Sequence, residues 1–171
     1  MKAPEKGTKA PDFSLTSGDG TIANLNTVIQ SGPVVLVFLP DINHSDTGEI
    51  ADNFRDDFNE FLALKASVIV AIYADAASVQ KFHDEHQLNY PIFPEPTGAL
   101  FRKYGAMEGL IVKKPRKFAF VIDREGVVTR PFRSVDSNKF SRQALYALRD
   151  QMGRSALKTA GQQSGGVHSK K

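Results

Sequence analysis

Two stretches of the chain are apolar at every position, 34–39 (Val-Val-Leu-Val-Phe-Leu) and 68–73 (Val-Ile-Val-Ala-Ile-Tyr). A strand with one wet face alternates apolar and polar residues, so these unbroken runs predict strands covered on both faces. Between them, Ile50, Phe54, Phe58, Phe61 and Leu62 recur at helical spacing among Asp52, Arg55, Asp56 and Asn59, which predicts a helix with one apolar face. Further on, Ser78 reads as the N-cap of a helix to about Gln87, with Val79 and Phe82 inward. The residues from Tyr90 to Phe93 read as short and extended, and those from Gly98 to Tyr104 as a brief helix stopped by Gly105. Phe13, Leu15, Ile22 and Leu25 flank Ser17-Gly18-Asp19-Gly20, a hairpin pattern. The same pattern places Asp123-Arg124-Glu125-Gly126 between the apolar run 118–122 and Val127-Val128-Thr129. A last helix, over about 137–152, buries Phe140, Ala144, Leu145 and Leu148.

A strand–helix–strand crossover followed by a hairpin and a closing helix predicts an α/β fold, a central mixed sheet with helices on both faces and an N-terminal hairpin. The pattern leaves strand order open. At the ends apolar periodicity fades. Residues 1–9 are expected to be flexible, 10–153 to form the domain, and the Gly/Ser/Gln-rich 154–171 to be a disordered basic tail.

Composition narrows the picture. The length of 171 residues fits one domain, and 41% hydrophobic with 24% charged residues is ordinary globular usage. No apolar run is long enough to span a bilayer, and the N-terminal residues lack the apolar core of a signal peptide, so the expected compartment is the cytosol. The net charge of +3 comes from the last segment, where Arg154, Lys158, Lys170 and Lys171 stand without an acid. The body is close to neutral, and the basic balance is no nucleic-acid footprint. Cysteine is absent, which removes disulfides, thiolate metal sites and thiol reactions. Walker, dinucleotide, zinc-finger and nucleophile-elbow patterns are missing too.

Several strings resemble a known family in order and spacing. They are Ala10-Pro11-Asp12-Phe13-Ser14-Leu15, the strand ending Val37-Phe38-Leu39-Pro40, Tyr73-Ala74-Asp75-Ala76-Ala77-Ser78, and Phe82 with Tyr90-Pro91-Ile92. Gly98-Ala99-Leu100, Tyr104-Gly105 and Phe120-Val121-Ile122-Asp123-Arg124-Glu125-Gly126 complete the set. Together they resemble the peroxiredoxins, of the alkyl hydroperoxide reductase and thiol-specific antioxidant type, nearest the bacterioferritin-comigratory branch. The resemblance implies a thioredoxin-like fold over roughly residues 7–152. It also implies an active-site loop Pro-x-x-x-Thr-x-x-Cys and an arginine three residues before the Phe of a later strand. Here Pro40 is kept, His44 stands at the threonine position, Thr47 at the peroxidatic cysteine position and Lys117 at the arginine position; regular strand alternation turns the adjacent Arg116 to the opposite face, and a register shift or bulge would bring Arg116 to the pocket instead. Peroxide reduction of this type needs a thiolate that becomes a sulfenic acid. A threonine hydroxyl neither ionises near neutral pH nor cycles through an oxidised form, so that reaction has no group to run on.

The degenerate site is therefore Pro40, His44, Thr47 and Lys117, with no catalytic residue and no cofactor expected. The plainest reading of 44–49 is structural, with Asp46 capping a helix and Glu49 in its first turn. A second reading makes His44, Asp46 and Glu49 ligands of a divalent metal. A third lets Pro40, His44, Thr47 and Lys117 converge on a small polar ligand, although carboxylates at a helix start disfavour an anion. His83 and His86 read as semi-buried packing residues. The basic run Lys113-Lys114-Pro115-Arg116-Lys117 reads as a solvated loop before a strand, with a phosphate or acidic-partner contact as the alternative. The expected function is a non-catalytic binding, chaperone-like or regulatory module. The alternative is a redoxin-derived enzyme or ligand-binding protein, metal-assisted or not, at the same loop. The partner expected is an unnamed protein or small molecule, with a homodimer among the options and with no specific nucleic acid and no membrane.

Overall fold

The computed structural model describes residues 2–133 and 136–168. Both unbroken apolar runs form central strands: β3 over Val34–Leu39 and β4 over Ser67–Ile72. They pair in parallel, so the chain must cross over between them, and it does so through α2 (Ser45–Asp56) and α3 (Phe58–Ala63). After β4 come α4 (Ala76–Glu85), the short strand β5 (Ile92–Pro94) and α5 (Ala99–Lys103). The hairpin β8 (Phe118–Ile122) and β9 (Val128–Phe132) then adds antiparallel to the other side of β3. The sheet order is β5-β4-β3-β8-β9. The small N-terminal hairpin is β1 (Ser14–Thr16) with β2 (Ile22–Asn24), followed by the single turn α1 (Leu25–Val28).

Side chains of β3 divide between two cores because successive residues point to opposite faces. Val35, Val37 and Leu39 pack with Ile50, Phe54 and Phe61 of the crossover and with Phe140, Leu145 and Leu148 of the closing helix α6 (Phe140–His168). Val34, Leu36 and Phe38 pack with Phe13, Leu15 and Leu25 of the N-terminal hairpin region and with Phe101 and Tyr104 around α5. That second layer explains why a strand in a mixed sheet carries no polar residue.

Several local expectations are corrected. The helix read as one piece from Ile50 to Leu62 breaks at Asp57, whose carboxylate is held by the Ser141 hydroxyl at 2.7 Å and by Arg142 at 3.3 Å. The break lets the Phe58 ring stack on Tyr90, while Leu62 is left exposed. The cap of α4 is Asp75, not Ser78: one Asp75 oxygen accepts from the Ser78 amide at 2.8 Å and the other from its hydroxyl at 3.0 Å. The N-terminal segment expected to be flexible is tied to the β8–β9 hairpin at residues 7–10, where Gly7 donates to the Val128 carbonyl, Val128 to Thr8 and Ala10 to Gly126, each at 2.8 Å. Gly105 helps to seat this segment. It has φ +68, and a Cβ there would lie 2.3 Å from the Ala3 amide nitrogen.

A further pair of short strands, β6 (Met107–Glu108) and β7 (Lys114–Pro115), stands where the basic run was read as a plain loop. Where disorder was expected from 154, α6 continues to His168, and 169–171 lie outside the described residues. Ala156, Leu157, Lys158 and Ala160 are good helix formers, but residues 153–162 are exposed and join neither core. Ending the chain after Met152 is therefore expected to change unfolding free energy by no more than about 0.5 kcal/mol. Urea titration checks this, and a loss above about 2 kcal/mol would mean the extension packs on the domain.

Candidate functional site

The candidate loop leaves the carboxyl end of β3, and α2 starts within it. Pro40 ends the strand, and the helix cap is His44 rather than Asp46. The His44 Nδ1 accepts from the Asp46 amide at 3.1 Å. Asp46 instead occupies the first turn, where a carboxylate is favoured by the helix dipole. Glu49 is exposed and lies off the cavity described below.

Thr47, at the cysteine position, is buried, and its hydroxyl donates to the Asp41 carbonyl. The group facing the cavity has therefore already placed its only proton in a backbone hydrogen bond. Lys117, just ahead of β8, reaches across to α2, donating to Asp46 Oδ2 at 3.3 Å and to the Ser137 hydroxyl at 3.0 Å, with its ammonium 5.7 Å from the centre of the Phe140 ring. The adjacent Arg116, also on the cavity wall, pairs with Glu108 at 3.3 Å. The Ser137 hydroxyl, followed by the Lys117 ammonium and then His44, holds the Asp46 carboxyl below its ordinary value of 3.8. A lowered carboxyl pKa favours the folded state fully above the ordinary value, and that contribution fades as pH falls through the lowered one.

Leu39, Pro40, His44, Asp46, Thr47, Arg116 and Lys117 line one open cavity of about 250 Å³. The four degenerate positions do meet there, though Thr47 and Lys117 are each bound to other partners. The proposed metal set does not gather. Among the described residues no three His, Asp or Glu side chains are placed to hold an ion, and the His44 Nδ1 to Asp46 approach is 3.8 Å. His83 and His86 fasten neighbouring elements. His83 Nε2 lies 3.0 Å from the Tyr90 carbonyl, and His86 Nδ1 lies 2.8 Å from Asp52 on α2.

Two participants escape a reading of the sequence. Ser137 reads there only as the start of a helix, and nothing local marks it as a partner of a lysine 20 residues earlier. Asp41 contributes through its backbone carbonyl, a group every residue has, so its identity carries no signal.

A mixed sheet with this order, a capped helix rising from the central strand and a cation reaching in from the next hairpin defines a thioredoxin-like redoxin domain. The chain belongs to the AhpC/TSA family, whose sequence model matches residues 6–130. A Mycobacterium tuberculosis protein named as a peroxiredoxin is 32% identical over 141 residues, covering 81% of this chain and 88% of that protein. Chloroplastic peroxiredoxin Q of Oryza sativa subsp. japonica is 29% identical over 123 residues, covering 72% of this chain and 56% of its own. Among solved structures, peroxidoxin BcpB from Mycobacterium tuberculosis superposes with a TM-score of 0.79 at 27% identity, over 86% of this chain and 97% of that one.

Proposed function

We propose that this chain is a non-catalytic redoxin domain of the cytosol, a binding or regulatory module that keeps the peroxiredoxin scaffold without its thiol chemistry. The observation that carries the reading is the state of the old active site. Thr47 replaces the thiol and is tied to the Asp41 carbonyl, and the cation opposite is held by Asp46. A peroxidatic centre needs a thiolate and a positive group free to stabilise it. Here the sulfur is absent, and the positive group has a carboxylate already beside it.

A second reading, a ligand-binding protein, has one observation in its favour. The cavity stays open, with Pro40 and His44 on its wall.

The test is peroxide consumption by the full chain with dithiothreitol or a thioredoxin system as reductant. The expected trace matches buffer at every protein concentration. Sustained, protein-dependent turnover in a metal-free preparation would sink the non-catalytic reading. A small-molecule screen by thermal shift, repeated on Thr47→Val and His44→Ala, decides between a closed module and a ligand site. Shifts lost in both variants favour the ligand.

A further inference from the structure

The basic run has a neighbour that gives it meaning. Strands β6 and β7 pair through Met107↔Pro115 and Glu108↔Lys114, so the residues between them form a turn projecting beside the cavity. Gly109 shapes that turn: its φ is +136, and a Cβ there would lie 2.0 Å from the Val112 carbonyl oxygen. On the crest, Leu110 is fully exposed, Ile111 is 96% exposed and Val112 is 67% exposed. Single exposed apolar residues are ordinary on protein surfaces, but three in a row on a convex crest are not. Arg116 pairs with Glu108 and Lys117 with Asp46, whereas among the described residues Lys113 and Lys114 take part in no ion pair.

We propose that this hairpin docks the chain on an anionic lipid surface. Leu110, Ile111 and Val112 enter the boundary between headgroups and acyl chains, and Lys113 and Lys114 lie against the lipid phosphates. Shallow apolar insertion combined with basic residues on the same segment is what holds peripheral proteins at such an interface. The charges also argue against the simplest protein partner. A symmetric contact with a second copy through this crest would bring the same two lysines face to face.

No described helix is long and apolar enough to cross a membrane, and surface docking requires none. The expectation of no membrane partner rests on spanning length. A three-residue run has no weight on that scale until the fold places it on a crest.

Co-sedimentation of the full chain with phosphatidylcholine vesicles, with and without phosphatidylserine, tests the proposal. Binding is expected only to the anionic vesicles and should weaken as salt rises. Lys113→Gln with Lys114→Gln should lower the partition coefficient about 30-fold, the effect of two bases at an anionic surface. Leu110→Ser, Ile111→Ser and Val112→Ser together should abolish binding, while Arg154→Gln with Lys158→Gln should leave it unchanged. Circular dichroism checks that each variant is folded, and the lysine pair, being fully surface, provides the reading if the serine variant is not. No binding to anionic vesicles, or loss only in the tail variant, would overturn the proposal. So would a dimer that the serine variant dissociates in the absence of lipid.

Discussion

Thr47→Cys is expected to install a thiol that stays mostly protonated at neutral pH and reacts with peroxide no faster than an unassisted cysteine. Position 47 lies in the first turn of α2, where the helix dipole favours a thiolate. Two features oppose it. The position is buried, which disfavours the ionised form, and Asp46 is kept ionised next to it by Ser137 and Lys117. The ammonium that would otherwise stabilise the thiolate therefore already faces a carboxylate.

Adding Asp46→Asn removes the repulsion and frees Lys117 toward the new sulfur. One unit of pKa is a factor of ten in thiolate well below the midpoint, so the double variant should alkylate at pH 7 about tenfold faster than the single one. Iodoacetamide kinetics against pH measure both midpoints. His44→Thr and Lys117→Arg added to the pair should move the site further toward the family pattern and raise peroxide consumption again. Rapid turnover by Thr47→Cys alone would show that the polar network around Asp46 does not restrain the site.

What was legible in the sequence was what depends on local pattern. The runs at 34–39 and 68–73 gave two central strands because full burial on both faces leaves no room for polar residues, and the motif spacing pointed to the right family. Misreadings arose where geometry chooses between chemically similar groups. Asp46 and Ser78 are good cap residues by type, yet His44 and Asp75 hold the cap positions, because capping depends on where the backbone enters the helix and not on composition. The site's decisive contact joins Lys117 and Asp46 across 71 residues, and no periodicity reports on a pair so far apart. The exposed crest at 110–112 is hidden in the sequence for the opposite reason. A short apolar run normally signals burial, and here it signals a surface.

The largest stability effect is expected at Phe38. Phe38→Ala should lower the unfolding free energy by about 3–5 kcal/mol, a large part of the ~5–15 kcal/mol typical of a domain. Phe38 is fully buried on the central strand, its ring 4.9 Å from Phe101, 5.4 Å from Tyr104 and 6.1 Å from Phe120. The void left by alanine cannot easily close. Strand β3 is fixed by hydrogen-bonded ladders on both sides, and Phe120 is stacked on Phe118 at 4.6 Å. Phe38→Leu keeps most of the volume and should cost less than about 2 kcal/mol. Leu157→Ala, on the exposed extension of α6, should stay within about 0.5 kcal/mol. Urea midpoints at constant slope rank the three. Equal losses at Phe38 and Leu157 would mean that the aromatic layer beneath the N-terminal hairpin is not closed. In that case the loop from Pro40, which begins two residues after Phe38, would have no rigid base from which to hold Thr47 and His44 in place.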